Sequence, residues 1–204
     1  MNFDLIIVGA GPAGIFTALE MLRNQSKAKI LLIEKGKPVE KRHCPKAETG
    51  KCVNCKPSCA ITTGFSGAGA FSDGKLSLSC EVGGDLPDLI GAPFAQELID
   101  YTDKIYLEFG ADPHIEGIGD SEEIKEIRKN AIKANLRLVD CPIRHLGTEK
   151  AQKLYHDIQN WLEKAGVEMH FNAECENIII EDNECHGVLV REGGELHEYR
   201  APEI

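Results

Sequence analysis

The run F-D-L-I-I-V-G-A-G-P-A-G, residues 3–14, decides how the rest of the chain is to be placed. Residues 3–8 are apolar apart from Asp4 and too few for a helix, so they predict a strand buried on both faces. Gly9, Gly11 and Gly14 come next, and residues 15–22 then carry apolar side chains at helical spacing. A second apolar run, residues 30–33, ends in Glu34. Strand, glycine turn, helix, strand and acid stand in the order of a dinucleotide-binding βαβ unit.

Each glycine has its own physical task. Gly9 allows the tight turn out of the strand, Gly11 lets the backbone approach a pyrophosphate, and Gly14 lets the helix pack closely on the sheet. Pro12 suits the opening of the helix, where its missing N–H has no partner to lose, and with Ala13 it completes the first candidate cofactor-binding set. The free N–H groups and positive end of the helix face the phosphates. Glu34 lies about 20 residues past Gly14, where a carboxylate accepts ribose hydroxyls and its charge disfavours the 2′-phosphate of NADP. A glycine-rich turn that binds nothing is the plainer alternative, but the whole series in register leaves it little room.

Composition sets the outer bounds. With 204 residues the chain can bury a substantial core, as one domain or one large domain with an insertion. Hydrophobic residues at 42% and charged residues at 27% are ordinary for a globular protein. No apolar stretch approaches the ~18 residues of a membrane span, and no basic region precedes the N-terminal apolar run. A cytoplasmic setting is therefore expected. A formal charge of −10 argues against non-specific nucleic-acid binding. Eight cysteines in such a chain point to thiols, a metal site or redox chemistry before a disulfide scaffold.

Half of those cysteines fall in residues 35–63, a long segment of scattered Gly, Pro and Lys with no clear period. Cys44, Cys52, Cys55 and Cys59 are spaced C-x7-C-x2-C-x3-C. Thiolates on a short loop can converge on zinc or an iron–sulfur cluster, and the Cys52–Cys55 pair favours that reading. The spacing matches neither paired zinc knuckles nor the ferredoxin run, so a loop of separately packed thiols, with one redox-active pair, stands beside it.

Residues 63–78, T-G-F-S-G-A-G-A-F-S-D-G-K-L-S-L, bring a second set of glycines among small and hydroxyl residues. Such a stretch allows close backbone approach to a ligand and offers an anion nest, with Ser66, Ser72, Asp73 and Lys75 adding polar contacts. Phe65, Ala68, Ala70 and Phe71 are more apolar than a solvated linker, which favours a buried lining.

The motifs I-I-V-G-A-G-P-A-G, L-L-I-E-K-G and G-F-S-G-A-G-A-F-S-D-G-K-L together resemble the FAD-binding part of flavoprotein oxidoreductases. They are most similar to the poorly characterised FAD-dependent dehydrogenases related to the glutathione-reductase-type superfamily. The resemblance implies FAD at this site, with the first glycine motif on the pyrophosphate and Glu34 on the adenosine ribose. It puts Lys35 and Arg42 beside the adenine or phosphates. It lays the second glycine segment (Gly67, Ala68, Gly69, Ser72, Asp73, Gly74, Lys75 and Leu76) along the pyrophosphate, ribityl chain or flavin.

Farther on, residues 94–109 predict a helix with Phe94, Leu98, Tyr101, Ile105 and Phe109 on a core-facing stripe. Asp120 and Glu123 suit a capping box for another helix that turns Ile124, Ile127 and Ala131 inward. Residues 136–143 alternate enough to be a strand. A helix from Thr148, ended by Gly166, leads into a strand at 166–171, expected as the third parallel strand beside the first. His145 faces the expected ligand side and is a weak candidate; His170 is expected to be structural. Residues 177–181, 186–191 and 195–200 predict an antiparallel meander. By the resemblance, residues 173–175 contact the adenine through their backbone, with Cys175 where an aliphatic residue is usual.

The expected fold is therefore α/β: a Rossmann-like FAD-binding domain with a parallel sheet, a three-stranded antiparallel meander and a helical and loop insertion. Its core would be residues 1–35 and 147–204, with the insertion at 36–146. The expected activity is that of an FAD-dependent oxidoreductase acting on a small-molecule substrate or an electron-transfer partner. The family's later segments, which complete the flavin site, do not occur before Ile204, so a further C-terminal region or another subunit is expected to supply them. A non-catalytic nucleotide-binding fragment is the alternative. No catalytic acid or base stands out.

Overall fold

The computed structural model describes residues 2–72 and 74–204, Thr148 by its backbone only. In chain order the first elements are β1 (Leu5–Val8), α1 (Pro12–Arg23), β2 (Ile30–Glu34), the single turn α2 (Lys46–Thr49) and β3 (Lys75–Ser77). Then come α3 (Leu86–Ile90), α4 (Ala92–Glu108), α5 (Glu122–Lys133), β4 (Ile143–His145) and α6 (Thr148–Lys164). The last are β5 (Glu168–Phe171), β6 (Ala173–Glu181), β7 (Glu184–Glu192) and β8 (Glu195–Arg200). The chain divides into two compact units, Met1–Phe71 with Tyr155–Ile204 and Ser72–Leu154, so residues 36–71 belong to the first.

In the first unit, β1, β2 and β5 form a parallel sheet in the order β1–β2–β5. All five residues of β2 are buried, as befits a central parallel strand covered on both faces. The meander β6–β7–β8 is antiparallel. Phe3, Ile6, Leu31 and Ile33 pack with Ala173, Val188, Val190, Tyr199 and Ala201, so one core joins the parallel sheet to the meander. The strand at 168–171 was expected beside β1 and lies beside β2 instead. The far edge of β1 is taken by the end of the meander: Phe3 N–H donates to the Arg200 carbonyl and Ile6 N–H to that of Glu203, both at 2.9 Å.

The second unit holds the two-stranded antiparallel sheet β3–β4 and helices α3 to α5. Buried Arg144 anchors it, its guanidinium holding both carboxylate oxygens of Asp103 at 2.6 and 2.7 Å and the Asp112 carbonyl at 2.6 Å. Its hydrogen bond to Asp103 raises the Arg144 pKa, against the opposing effect of burial. Three expectations are corrected here. Of residues 136–143 only Ile143 is in a strand, because β4 forms by pairing with β3 and not by its own alternation. The cap of α5 is Ser121, whose hydroxyl accepts the Ile124 N–H, and the helix buries no residue; Ile127 is 55% exposed. On α4 the stripe is buried at Ile105 but exposed at Phe94, Leu98 and Tyr101.

Candidate functional site

The site begins at the first glycine turn. Gly9 leaves β1 with a φ of +101°, and its N–H donates to the Ile33 carbonyl at 2.8 Å. Pro12 opens α1, Gly11 caps it without a side-chain bond, and no acidic residue sits in its first turn. A Cβ on Gly14 would stand 2.1 Å from the Gly9 carbonyl oxygen, so only glycine lets α1 lie this close to the turn. A Cβ on Gly11 would meet no atom within 4 Å; it would project into open space.

Glu34, at the end of β2, is buried, and its carboxylate is already engaged. Oε2 accepts the Ala10 N–H at 2.9 Å, while Oε1 accepts those of Gly36 at 2.8 Å and Gly64 at 3.0 Å. One side chain thus ties the first glycine turn, the strand exit and the start of the second glycine segment together. Gly36 and Gly64 make this possible, since a Cβ on Gly36 would lie 2.4 Å from the Gly64 nitrogen. The Ser66 N–H adds a bond to the Ala10 carbonyl at 2.7 Å, and its own hydroxyl is buried with no hydrogen-bond partner among the described residues.

Arg42 is the second tie. It is buried, and its three nitrogens donate to the carbonyls of Ala60 (2.9 Å), Phe65 (2.6 Å) and Ile61 (2.6 Å), with the guanidinium 4.4 Å from the centre of the Phe71 ring. Burial lowers its pKa, opposed by the charges of Glu34 and Cys59. Arg42, expected beside the adenine or phosphates, braces the loop that carries the second glycine motif.

Between these elements lies a cleft of about 390 Å³. Gly9, Gly11, Glu34, Lys35 and Gly67 line it, with Cys175 and Ala173 from the start of the meander. Thr62, Thr63 and Gly64 also line it; Gly64 opens the second motif, but neither it, Thr62 nor Thr63 was among the residues named there for the cofactor. Gly67 belongs to a short 3₁₀ turn over Gly67–Phe71, which buries Ala70 and, just ahead of it, Phe65. Ser72, Gly74, Lys75 and Leu76 lie in the second unit, where Lys75 pairs with His145 and Leu76 with Arg144. Asp73 lies outside the described residues. His145 Nε2 stands 3.2 Å from Glu116, and His170 lies between Glu168 and Glu192 at 3.1 and 3.0 Å.

The four cysteines of the long segment do not converge. Among the described residues no group of three or more His, Cys, Asp or Glu is placed to hold a metal ion. Helix α2 falls between Cys44 and the others along the chain, and Cys52 and Cys59 are exposed. The metal reading of Cys44, Cys52, Cys55 and Cys59 thus finds no support among the described residues. Cys59 keeps a lowered pKa because backbone N–H groups of Ile61 and Thr62 favour its thiolate.

No family model matches the chain. An uncharacterised protein of Clostridium beijerinckii is 26% identical over 185 residues, 91% of this chain but 27% of that protein. Among solved structures, a 3-ketosteroid-Δ4-(5α)-dehydrogenase from Rhodococcus jostii matches 98% of the chain with a TM-score of 0.59 at 16% identity, over 44% of its own length. A flavocytochrome c3 fumarate reductase gives 0.55 at 14% identity, and an L-amino acid deaminase from Proteus vulgaris 0.53 at 12%. Each is again matched over 98% of this chain, for 32% and 46% of its own length. These likenesses define a fold class, the mixed α/β architecture of such enzymes. The chain spans about a quarter of its curated relative and less than half of these structures.

Proposed function

We propose that the first unit binds FAD by its adenosine diphosphate half, and that the chain serves an FAD-dependent oxidoreductase as part of a longer flavoprotein. The observation that carries this reading is the shared cleft: the first glycine turn, the second glycine segment and Glu34 all line it. The pyrophosphate would rest on the uncapped opening of α1, where Gly11 presents no side chain. A carboxylate has about four acceptor positions, and Glu34 uses three on backbone amides. One remains on Oε2 for a ribose hydroxyl. The adenine would lie along Lys35 and residues 173–175.

The residues present fit such a group, because the cradle is open where a Cβ on Gly11 would fill it. When bound, FAD supplies hydride or single-electron transfer; this chain's part is to bind and orient. The dehydrogenase and the flavocytochrome among the solved structures favour redox chemistry, and their greater length favours a flavin environment completed by segments beyond those described.

The test is Gly11→Val. Gly11 has φ −76° and ψ 178°, a conformation valine adopts freely, so the variant should fold with an unchanged melting temperature. Its side chain would occupy the pyrophosphate position, and FAD affinity, measured by quenching of flavin fluorescence, should fall by roughly 100-fold or more, the cost of a blocked close approach. Undiminished affinity in the folded variant would remove the proposed site.

A further inference from the structure

Next to the cofactor cleft the first unit carries a second recess, of about 410 Å³. Lys35, Thr63 and Glu174 belong to the walls of both. The rest of this wall comes from the strand exit at residues 36–37, the cysteine segment and the β7–β8 turn at Gly193 and Gly194.

Its charge is the opposite of the molecule's. The chain carries −10 overall, yet among the described residues Glu174 is the one carboxylate lining the recess. Lys35, Lys37 and Lys56 ring it, arriving from two separate stretches, and none makes an ion pair among the described residues. The two arginines in the wall are already engaged. Arg42 holds three carbonyls, and Arg191 holds both oxygens of Glu176 at 2.6 and 3.0 Å. They are fixed parts of the wall, whereas the ammonium groups of Lys37 and Lys56 are left to meet a ligand, with Lys35 shared with the cofactor cleft. A concave, low-dielectric wall with one sign of charge concentrates potential and draws counter-ions. The volume falls within the ~300–1,000 Å³ of small-molecule sites. A recess of this size admits a compact ligand and not the flat face of a protein.

We propose that this recess binds a phosphorylated small molecule, a polyanion of about mononucleotide size, at a site separate from the pyrophosphate cradle of the cofactor. The lysines act as point charges on the phosphate oxygens, and the hydroxyls of Ser58 and Thr63 in the wall supply neutral hydrogen bonds. The inference rests on the cofactor reading only in taking the neighbouring cleft as occupied by FAD.

Inorganic pyrophosphate is the probe, titrated calorimetrically into the whole chain at low salt, with and without saturating FAD. The variant is Lys37→Gln/Lys56→Gln, neither residue lying in the cofactor cleft. Pyrophosphate should bind the FAD-saturated protein, and the variant should weaken it about tenfold for each lysine, the worth of a charge-assisted bond. The variant's melting temperature and FAD affinity should stay at the parent values. Absence of pyrophosphate binding, undiminished binding by the variant, or complete displacement by FAD would each overturn the separate site; in the last case the anion merely occupied the cofactor's cradle. Should FAD fail to bind while pyrophosphate binding persists and is lost in the variant, the recess stands and the cofactor reading falls.

Discussion

Glu34 shows how one residue can be legible in position and not in role. Its place after the second strand marks it as a ligand-facing acid, and it does line the cleft. What the chain cannot display is that residues 10, 36 and 64 bring three amides to its oxygens, because Gly64 is 30 residues away in sequence. Arg42 is the same case: a basic residue after the acid is visible, whereas three carbonyl partners at residues 60–65 are products of folding. Glu34→Gln tests the internal tie. The amide keeps the shape but turns one acceptor oxygen into a donor facing a backbone N–H. Unfolding free energy in urea should fall by about 2 kcal/mol, the scale of a lost charged hydrogen bond in a buried site. An unchanged midpoint would mean that solvent, not this carboxylate, satisfies those amides.

The elements that could be read from sequence are those whose signals are local. β1, α1 and β2 are bounded by glycines, a proline and an acid, and apolar period separates strand from helix. β4 could not be read, since three residues become a strand only by pairing with β3. The stripe on α4 was visible as a period, but a period does not say how much of a face is covered, and three of its five residues are exposed. The contrast between Gly14 and Gly11 makes the packing of α1 testable. In Gly14→Ala the new methyl would be driven against the Gly9 carbonyl, with Ile7 Cγ2 also only 3.0 Å away. Moving α1 off the turn should cost about 3 kcal/mol, the upper end of the usual penalty for overpacking. Gly11→Ala has open space and an ordinary conformation, so its urea midpoint should match the parent's. Equal midpoints for the two variants would refute the tight packing read from the turn.

At the scale of the whole molecule, strand order was the least legible feature, because nothing local tells a strand which neighbour it will have. The placement of β5 on β2 leaves the far edge of β1 to residues 200–203, which pair with it in parallel. Successive N–H groups of a strand point to alternate sides. Ile6 donates outward to Glu203, and Gly9 inward to Ile33. Val8 therefore points outward like Ile6, and it is 49% exposed. Leu5, Ile7, Ile178 and Ile204 line an apolar groove beside that edge. Amide hydrogen exchange reads this directly, since protection follows the bond each N–H makes. In the 204-residue chain the Ile6 amide should be protected and the Val8 amide should exchange quickly. In a longer protein that continues past Ile204, the Val8 amide should gain protection of about 100-fold or more, as expected when an edge N–H joins a ladder. Equally fast exchange at Val8 in both proteins would show that the edge stays open and that the sheet is not extended there.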